Sequence, residues 1–385
     1  MEVTQIYQIV NDSLTETLGK DNLITEDLDG IVDAGNAIFN ANAFDRFVRA
    51  LINHIGKVIF VNRPYSGSAP SVLMDDWRYG SILEKISSRL PVATENESWN
   101  LTDGASYDPN VFHKPDVYVK FFNKMTTFQI ERSVQEKSLY QSFSSATQLN
   151  AFLSMLLNEV EKAMTVAFDN LIMRTINNMV GETFYNMNSG GTYTGAGNTR
   201  AVNLLYRFNQ QYTKSLTAVD AILDPDFIRY AAYHMALTID RLTRMSTLFN
   251  MGGMERFTPK DLQHVVMLSE FRVAADVFLQ SNTFHDEYTK LINAETVPFW
   301  QGSGQSFAFT DTGAIKLTTS EGHSVNPTGI LCTIFDHDAL GVNGYNSRVD
   351  THWNEPAEFT NYWYKRDARY FNDFNENMVV FYVAS

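Results

Sequence analysis

The sequence predicts an α+β protein in which one very long helix is combined with many short β-strands. The stretch from Ser145 to Gly181 has no Pro, and its apolar residues recur three and four positions apart, which is the period of one helix face. Short apolar runs bounded by Pro, Gly and polar residues recur elsewhere and are typical of strands. A chain of 385 residues is too long for one core and predicts two or three lobes.

The long stretch begins after Ser144 or Ser145, either of which can cap a helix, and Gly181 can supply the left-handed residue past its end. A helix of roughly 35 residues would be about 50 Å long. No heptad with charged flanks is sustained, so a coiled coil is the weaker interpretation. We expect a single amphipathic rod lying across a sheet.

Charge and cysteine content narrow the classes of function. Lys and Arg number 30 and Asp and Glu 44, a net charge of −14 that disfavours nucleic-acid binding through the overall field. The single Cys332 lies in an apolar run and is predicted to be a small buried hydrophobe rather than a nucleophile. One cysteine excludes an intrachain disulfide framework and favours an intracellular folding compartment. We expect neither a signal peptide nor a membrane span.

The N-terminal region predicts helices with modest apolar faces, over residues 2–18, 26–38 and 41–55, followed by a short strand at 57–62. Such an arm needs another surface to lie on.

Residues 81–130 predict a long hairpin-like excursion. Its outgoing arm is Ser81–Leu90 and its return is Asp116–Ile130. In the return arm the apolar residues change from odd to even positions, and a β-bulge near Phe122 would keep them on one face of the strand. The polar connection between them carries aromatic residues, which are scarce in disordered segments. A disordered surface loop is the alternative, but we favour a two-stranded ribbon that reaches a neighbouring molecule. The predicted inter-subunit contacts are Trp99, Tyr107, Phe112 and Phe121.

The second half of the chain predicts alternating helices and strands. A short helix and a turn are predicted over 131–144. Predicted helices cover 199–215, 226–246 (with Pro225 just before or at the first turn) and 270–280. Predicted strands cover 218–223, 264–269, 330–335, 358–370 and 378–383. Short strands and turns are expected over 285–321. The alternation from 216 to 345 indicates a compact α/β lobe, and the apolar last strand is expected to complete an existing sheet.

Two polar clusters could hold a metal, namely Asp336-His337-Asp338 and His285-Asp286-Glu287. Neither has the ligand spacing that fixes a metal geometry, so polar turns are the favoured interpretation. The loop at 186–198 lacks the Gly-Lys-Ser/Thr of a phosphate-binding loop, and no G-x-S-x-G or G-x-G-x-x-G motif is found. We therefore predict no catalytic, cofactor-binding or metal-binding residues and no cofactor.

The order of parts resembles the major capsid protein of tailed bacteriophages, the Hong Kong 97-type fold. The segments FDRFVRALINHIGKVIF (44–60), FTNYWY (359–364) and Phe381–Val383 are similar to capsid proteins of small short-tailed phages of the phi-twenty-nine kind. The resemblance implies five parts. These are an N-arm (1–60), a linker and E-loop ribbon (61–130), a peripheral domain (131–215) with a spine helix (145–181), an axial domain (216–345) and returning C-terminal strands (346–385).

The resemblance also implies a structural subunit of an icosahedral head, built of pentamers and hexamers around double-stranded DNA that it encloses without sequence-specific binding. Implied partners are further copies, a portal protein and, since the ribbon begins near residue 80 and leaves no room for a removable segment, a separate scaffolding protein. We do not predict isopeptide crosslinks or a membrane partner. Two alternatives remain open at this point: a nanocompartment shell protein, and an α+β enzyme with a site near Asp336-His337-Asp338.

Overall fold

The structure, a computed structural model, describes residues 11, 67, 69–72, 82–135, 146–280, 292–301 and 312–385. The predicted helices and strand of the N-terminal arm, Asn11 apart, and the cluster at His285 lie outside these residues. The chain divides into two compact units, one of residues 1–63 with 144–156 and one of residues 64–143 with 157–385. The packing that follows belongs to the second unit.

The described elements confirm a mixed α+β architecture. The strands are β1 (Leu83–Ser88), β2 (Val117–Phe122), β3 (Met125–Val134), β4 (Ala201–Asn203), β5 (Gln263–Leu268), β6 (Glu295–Val297), β7 (Leu317–Thr318), β8 (Ser324–Val325), β9 (Ile330–Asp336), β10 (Leu340–Asn354), β11 (Phe359–Asn372) and β12 (Met378–Tyr382). The helices are α1 (Ala146–Met187), α2 (Leu204–Tyr212), α3 (Pro225–Leu242) and α4 (Ser269–Gln280), with short helical turns at Glu97–Trp99, Ala218–Ala221 and Lys260–Leu262. Strand orders are β1-β2, β10-β11-β3, β4-β12-β9-β5-β6 and β7-β8.

The predicted long helix is confirmed as α1, which has 42 residues and, at about 63 Å, is longer than predicted. The prediction that Gly181 ends the helix is wrong, since the helix runs on to Met187. A Cβ at Gly181 would lie 3.0 Å from a Val325 methyl and 3.1 Å from the Thr319 methyl. Gly181 therefore serves close approach of the helix to the β7–β8 hairpin rather than helix termination.

Burial of α1 changes along its length. Between Val160 and Phe168 the buried residues fall on one face, as an amphipathic rod requires. From Thr175 to Phe184 every residue is buried, polar ones included. The hydroxyl of Thr183 donates to the Met179 carbonyl at 2.9 Å, which satisfies it inside the helix. The segment of α1 from Thr175 to Phe184 is thus core on all sides.

In the five-stranded sheet, the last strand of the chain lies between β4 and the central strand β9. Strand β12 pairs parallel with β4 and antiparallel with β9. All residues of β12 and β9 are buried, which explains their unbroken apolar runs. The prediction that the final strand completes an existing sheet is confirmed.

Two segments differ from prediction because capping side chains decide their local structure. Residues 199–215 begin with β4, and Asn203 then caps α2 by accepting from the Tyr206 amide at 3.2 Å. The predicted strand at 218–223 is a helical turn, capped by the Thr217 hydroxyl, which accepts from the Asp220 amide. The predicted α3 is confirmed, with Asp224 as its cap and Pro225 in the first turn.

Within the described part of the chain, none of the helices has both the length and the apolar character needed to cross a bilayer. Even α1, despite its length, carries charged and amide side chains along its exposed face.

A substitution at Gly181 tests the close approach of α1 to the β7–β8 hairpin. We expect Gly181→Val to lower the free energy of unfolding by about 2 kcal/mol, because the new methyls would overlap Val325 and Thr319. The matched control is Ala163→Val, at an exposed position of the same helix, which should cost less than about 1 kcal/mol. Urea denaturation followed by tryptophan fluorescence measures both. Equal effects of the two variants would contradict the packing role.

Candidate functional site

Strands β1 and β2 form an antiparallel ribbon whose two faces differ in chemistry. The register pairs Lys85 with Lys120 on one face and Ile86 with Val119 on the other. The lysine face is half-buried against the body of the protein, whereas Ile86, Val119 and Phe121 are exposed. The ribbon therefore leaves an apolar face in solvent, whereas its body-facing side combines the two lysines with Leu83 and Phe122.

The predicted single return arm is two separate strands, which corrects the sequence interpretation. Strand β2 ends at Phe122, and β3 begins at Met125 and pairs with β11 in a different sheet. The two apolar phases thus belong to two sheets, and no bulge near Phe122 is needed to join them. Because β3 continues to Val134, the helix predicted over 131–144 is also wrong at its start.

Beyond the paired strands, the ribbon continues into a tip of residues 89–116. The Arg89 amide donates to the Asp116 carbonyl at 3.0 Å and closes its base. The side chains described in the tip are all exposed. Two short polar turns shape it, in which Asn96 and Asp108 side chains accept from the amides of Ser98 and Asn110. The predicted two-stranded ribbon is therefore confirmed for β1 and β2 and does not extend through the tip.

All four residues that the sequence predicts as contacts have exposed side chains. Trp99 is 97% exposed, Phe112 83%, Phe121 64% and Tyr107 52%. Three lie in the tip, and Phe121 lies on the apolar face of the ribbon. Sequence reasoning missed Ile86 as a member of that face, although its alternation with Lys85 in a strand could have indicated it.

The lysine face is fixed to the body by a cluster of five charged residues, here called the ionic anchor. The Lys85 ammonium lies 2.9 Å from the Asp373 carboxylate and 3.1 Å from that of Glu376. The Lys120 ammonium lies 3.0 Å from Asp373, and Arg256 Nε lies 3.1 Å from Glu376. Both acids occupy the tight turn between β11 and β12, and the Asp373 side chain is only 4% exposed.

Burial and ion pairing shift the pKa values of these groups in opposite directions. Burial lowers the pKa of Lys85, but the carboxylates of Asp373 and Glu376 outweigh it and the net pKa is raised. Burial raises the pKa of Asp373, but Lys85 and Lys120 reverse this and hold it below its usual value. The pKa of Glu376 is raised, because burial and the nearby charge of Asp373 raise it by more than Lys85 and Arg256 lower it. Glu376 is therefore the first carboxylate of the anchor to take up a proton on acidification.

Further contacts hold the same end of the ribbon. The Arg256 guanidinium donates to the Tyr118 hydroxyl at 2.8 Å, and the rings of Phe122 and Phe371 lie 5.1 Å apart. The Lys85 ammonium also donates to the Asp338 carbonyl at 3.0 Å. The ribbon is thus attached through its base by polar and aromatic contacts.

The Asp336-His337-Asp338 cluster forms structural hydrogen bonds next to the ionic anchor. Asp336 is buried, contrary to a surface turn, and its carboxylate accepts from the Thr258 hydroxyl and the Asp338 amide. Among the residues that the structure describes, no three His, Cys, Asp or Glu side chains converge as metal ligands would.

Cys332 is fully buried in β9, and burial raises the pKa of its thiol, as fits a small core residue.

The fold is similar to chains in solved phage structures. A chain in the capsid structure of Staphylococcus phage Andhra aligns with a TM-score of 0.54 and 8% identity, over 86% of this chain and 87% of that one. A chain in the structure of head fiber and inner core protein gp22 of native bacteriophage P68 aligns with a TM-score of 0.56 and 9% identity, over 86% and 88%. At such identities the similarity shows the fold alone.

A family model described as Phi29-like phage major capsid protein matches residues 9–382. The chain belongs to this family, and its mixed α+β fold is of the Hong Kong 97-like capsid class. It is a structural subunit of a phage head, a component of the virion that assembles in many copies into the capsid. The family match favours the phage head over the nanocompartment alternative. No protein with a curated description matches the sequence.

Removal of the shared carboxylate tests the ionic anchor. We expect Asp373→Asn to lower the free energy of unfolding by about 3 kcal/mol at pH 7, because Lys120 loses its carboxylate partner and Lys85 keeps only Glu376 in a mostly buried site. Hydrogen exchange of the β1 and β2 amides should accelerate. The control Asp116→Asn, which removes an exposed pair with Arg89 on the same ribbon, should change neither quantity measurably. Unchanged exchange in Asp373→Asn would contradict the anchor.

Acidification tests the raised pKa of Glu376. Between the ordinary value of 4.5 and the raised folded-state pKa, the folded state binds more protons than the unfolded state, so this group increases the free energy of unfolding as pH falls. We expect Glu376→Gln to abolish that increase as the pH is lowered from neutrality toward the ordinary value of 4.5, whereas Asp373, with its lowered pKa, contributes a loss only at more acid pH. Urea denaturation of both proteins across this range measures the difference. An identical pH dependence would refute the assignment.

Proposed function

We propose that this subunit forms an icosahedral shell of pentamers and hexamers that encloses a double-stranded DNA genome. The observation that carries the proposal is the exposed apolar face of the ribbon, whose lysines are bound by its own body while Ile86, Val119 and Phe121 face solvent. An isolated subunit gains nothing from exposing these side chains. A second copy of the chain that covers them would gain the free energy of their burial.

The proposed contact uses the apolar face of the ribbon together with the aromatic tip. Trp99, Tyr107, Phe112 and Phe121 would insert into the adjacent subunit, and each fully buried side chain contributes about 1.5–3 kcal/mol. Because the ribbon and the surface that receives it are different parts of the chain, the contact is heterologous. Repetition of such a contact closes into rings when the rotation permits, as in pentamers and hexamers.

The five parts expected from the sequence become proposed domains. The described elements support an E-loop within 61–130, comprising β1, the tip and β2, and a spine helix corresponding to α1. Strand β3 pairs with β11, so the root of the ribbon and the C-terminal strands share a sheet. An N-arm at 1–60, a peripheral domain at 131–215 and an axial domain at 216–345 complete the proposal.

The proposed partners follow from a structural, non-enzymatic role. A net charge of −14 suits a wall that encloses DNA without holding it. A separate scaffolding protein would direct assembly, a portal protein would occupy one vertex, and the subunit would be made in the host cytoplasm. No membrane partner is proposed.

Shortening the ribbon tests the proposal. We expect replacement of residues 92–114 by Gly-Asn-Gly to leave a folded, soluble chain that forms no particles, because the removed side chains that the structure describes are exposed. Size-exclusion chromatography and electron microscopy, with and without the phage scaffolding protein, measure assembly.

Point variants give the matched comparison. Trp99→Ser combined with Phe112→Ser should reduce particle yield at least tenfold, whereas Asn100→Ser, a polar exchange in the same tip, should leave it unchanged. Normal shells from the shortened ribbon would refute the proposed contact.

A further inference from the structure

The outer half of the β10-β11-β3 sheet has two faces of different chemistry. Residues paired across neighbouring strands point to the same side of a sheet, so the register defines both faces. One side, here called the aromatic face, comprises the odd-numbered residues 349–353, the even-numbered residues 360–364 and the even-numbered residues 130–134. Most of its side chains are apolar or aromatic.

The opposite face is satisfied within the subunit. Lys365 Nζ lies 2.7 Å from the Asp350 carboxylate, and Arg348 pairs with Asp367. The Asp367 carboxylate also accepts from the Thr127 hydroxyl at 2.7 Å, so these contacts join all three strands. This face needs no partner for its charged groups.

The core packs against the inner end of the sheet on the aromatic side. Phe128 lies against the core, and the Arg366 guanidinium lies 4.5 Å from the centre of the Phe168 ring of α1. Further out, on β10, Val349 is 52% exposed and Trp353 45%. A contiguous sheet face that leaves large apolar side chains in solvent indicates an interaction surface.

The aromatic face is positively charged. Arg132 is exposed on β3, and no carboxylate of the described residues lies within ion-pair distance of it. It is paired in register with Tyr362, whose ring lies 6.4 Å from that of Tyr364. The face contains no Asp or Glu. A partner that fits it presents aromatic side chains together with negative charge.

The tip of the ribbon has this complementary composition. Residues 90–112 contain four acidic residues and no lysine or arginine. Asp103 and Asp108 are exposed, and no cation of the described residues lies within ion-pair distance of either. Trp99 and Phe112 supply exposed aromatic rings. Since the tip is exposed in its own subunit, it does not cover the sheet of that subunit.

We propose that the aromatic face receives the ribbon tip of a second copy of the chain. The inference rests on the proposed function and adds the surface into which the tip inserts. Aromatic rings of the tip cover Val349 and Trp353, and acidic residues of the tip approach Arg132. Because the tip and the face are different parts of the chain, the contact is heterologous and can repeat around a ring.

Photocrosslinking in assembled particles locates the contact from both sides. Benzoylphenylalanine at position 99 should crosslink to β3, β10 or β11, and at position 349 it should crosslink to residues 90–112. Mass spectrometry of particles assembled from a mixture of isotope-labelled and unlabelled chains should show that each crosslink joins two copies.

A charge reversal tests the electrostatic part of the contact. We expect Arg132→Glu to reduce particle yield at least tenfold, because it places a negative charge opposite the acidic tip. Its melting temperature as an unassembled chain should be unchanged, since Arg132 is exposed and unpaired among the described residues. The control Arg244→Glu makes the same change at another exposed position and should assemble normally.

The contrary results separate this inference from the proposed function. Particles in which position 99 crosslinks elsewhere would overturn the docking surface and leave the shell intact. Crosslinks from position 349 to residues 1–60 or to a scaffolding protein would assign the aromatic face to that partner instead. Equal loss of particles in Arg132→Glu and Arg244→Glu would show a general effect of charge. Failure of the unaltered chain to form particles would refute the proposed function, and this docking with it.

Discussion

Desolvation of charge at the ionic anchor is the constraint on which the arrangement of the ribbon depends. Asp373 is almost fully buried and requires cationic partners, and the lysines of both ribbon strands supply them. Side chains alternate across a strand, so once Lys85 and Lys120 face the body, Ile86 and Val119 must face away from it. The exposed apolar face is thus a direct consequence of an internal ionic contact, and in the proposed function the interaction that holds the ribbon also leaves this face available to a neighbouring copy.

The anchor also connects the ribbon to the most deeply buried part of the second unit. Asp373 and Glu376 lie in the turn between β11, which pairs with β3, and β12, which lies within the five-stranded sheet. The buried final turns of α1 contact the same region, since Asn372 at the end of β11 bonds to the Thr175 carbonyl. A displacement of the ribbon base would therefore strain two sheets and the long helix together. This coupling gives the ribbon a firm base although its tip is exposed.

Local sequence patterns predicted what depends on local physics. The period of α1, Pro225 at the start of α3, and the apolar runs of β9 and β12 were sufficient to identify those elements. The exposed aromatic residues of the tip were also identified, because such residues are unusual in a polar loop. Sequence alone could not show that Gly181 is needed for contact with Val325, nor that β3 pairs with β11. Lys120 and Asp373 are 253 positions apart, and no local pattern indicates a contact at that separation.

The most direct measurement of the central claim is a cryo-electron microscopy map of assembled particles of this chain. The account predicts that Ile86, Val119 and Phe121 are buried against an adjacent copy while Lys85 and Lys120 remain paired with Asp373 of their own subunit. The account would be contradicted by particles in which that apolar face stays in solvent. It would equally be contradicted if the lysine face, released from Asp373, formed the contact between copies.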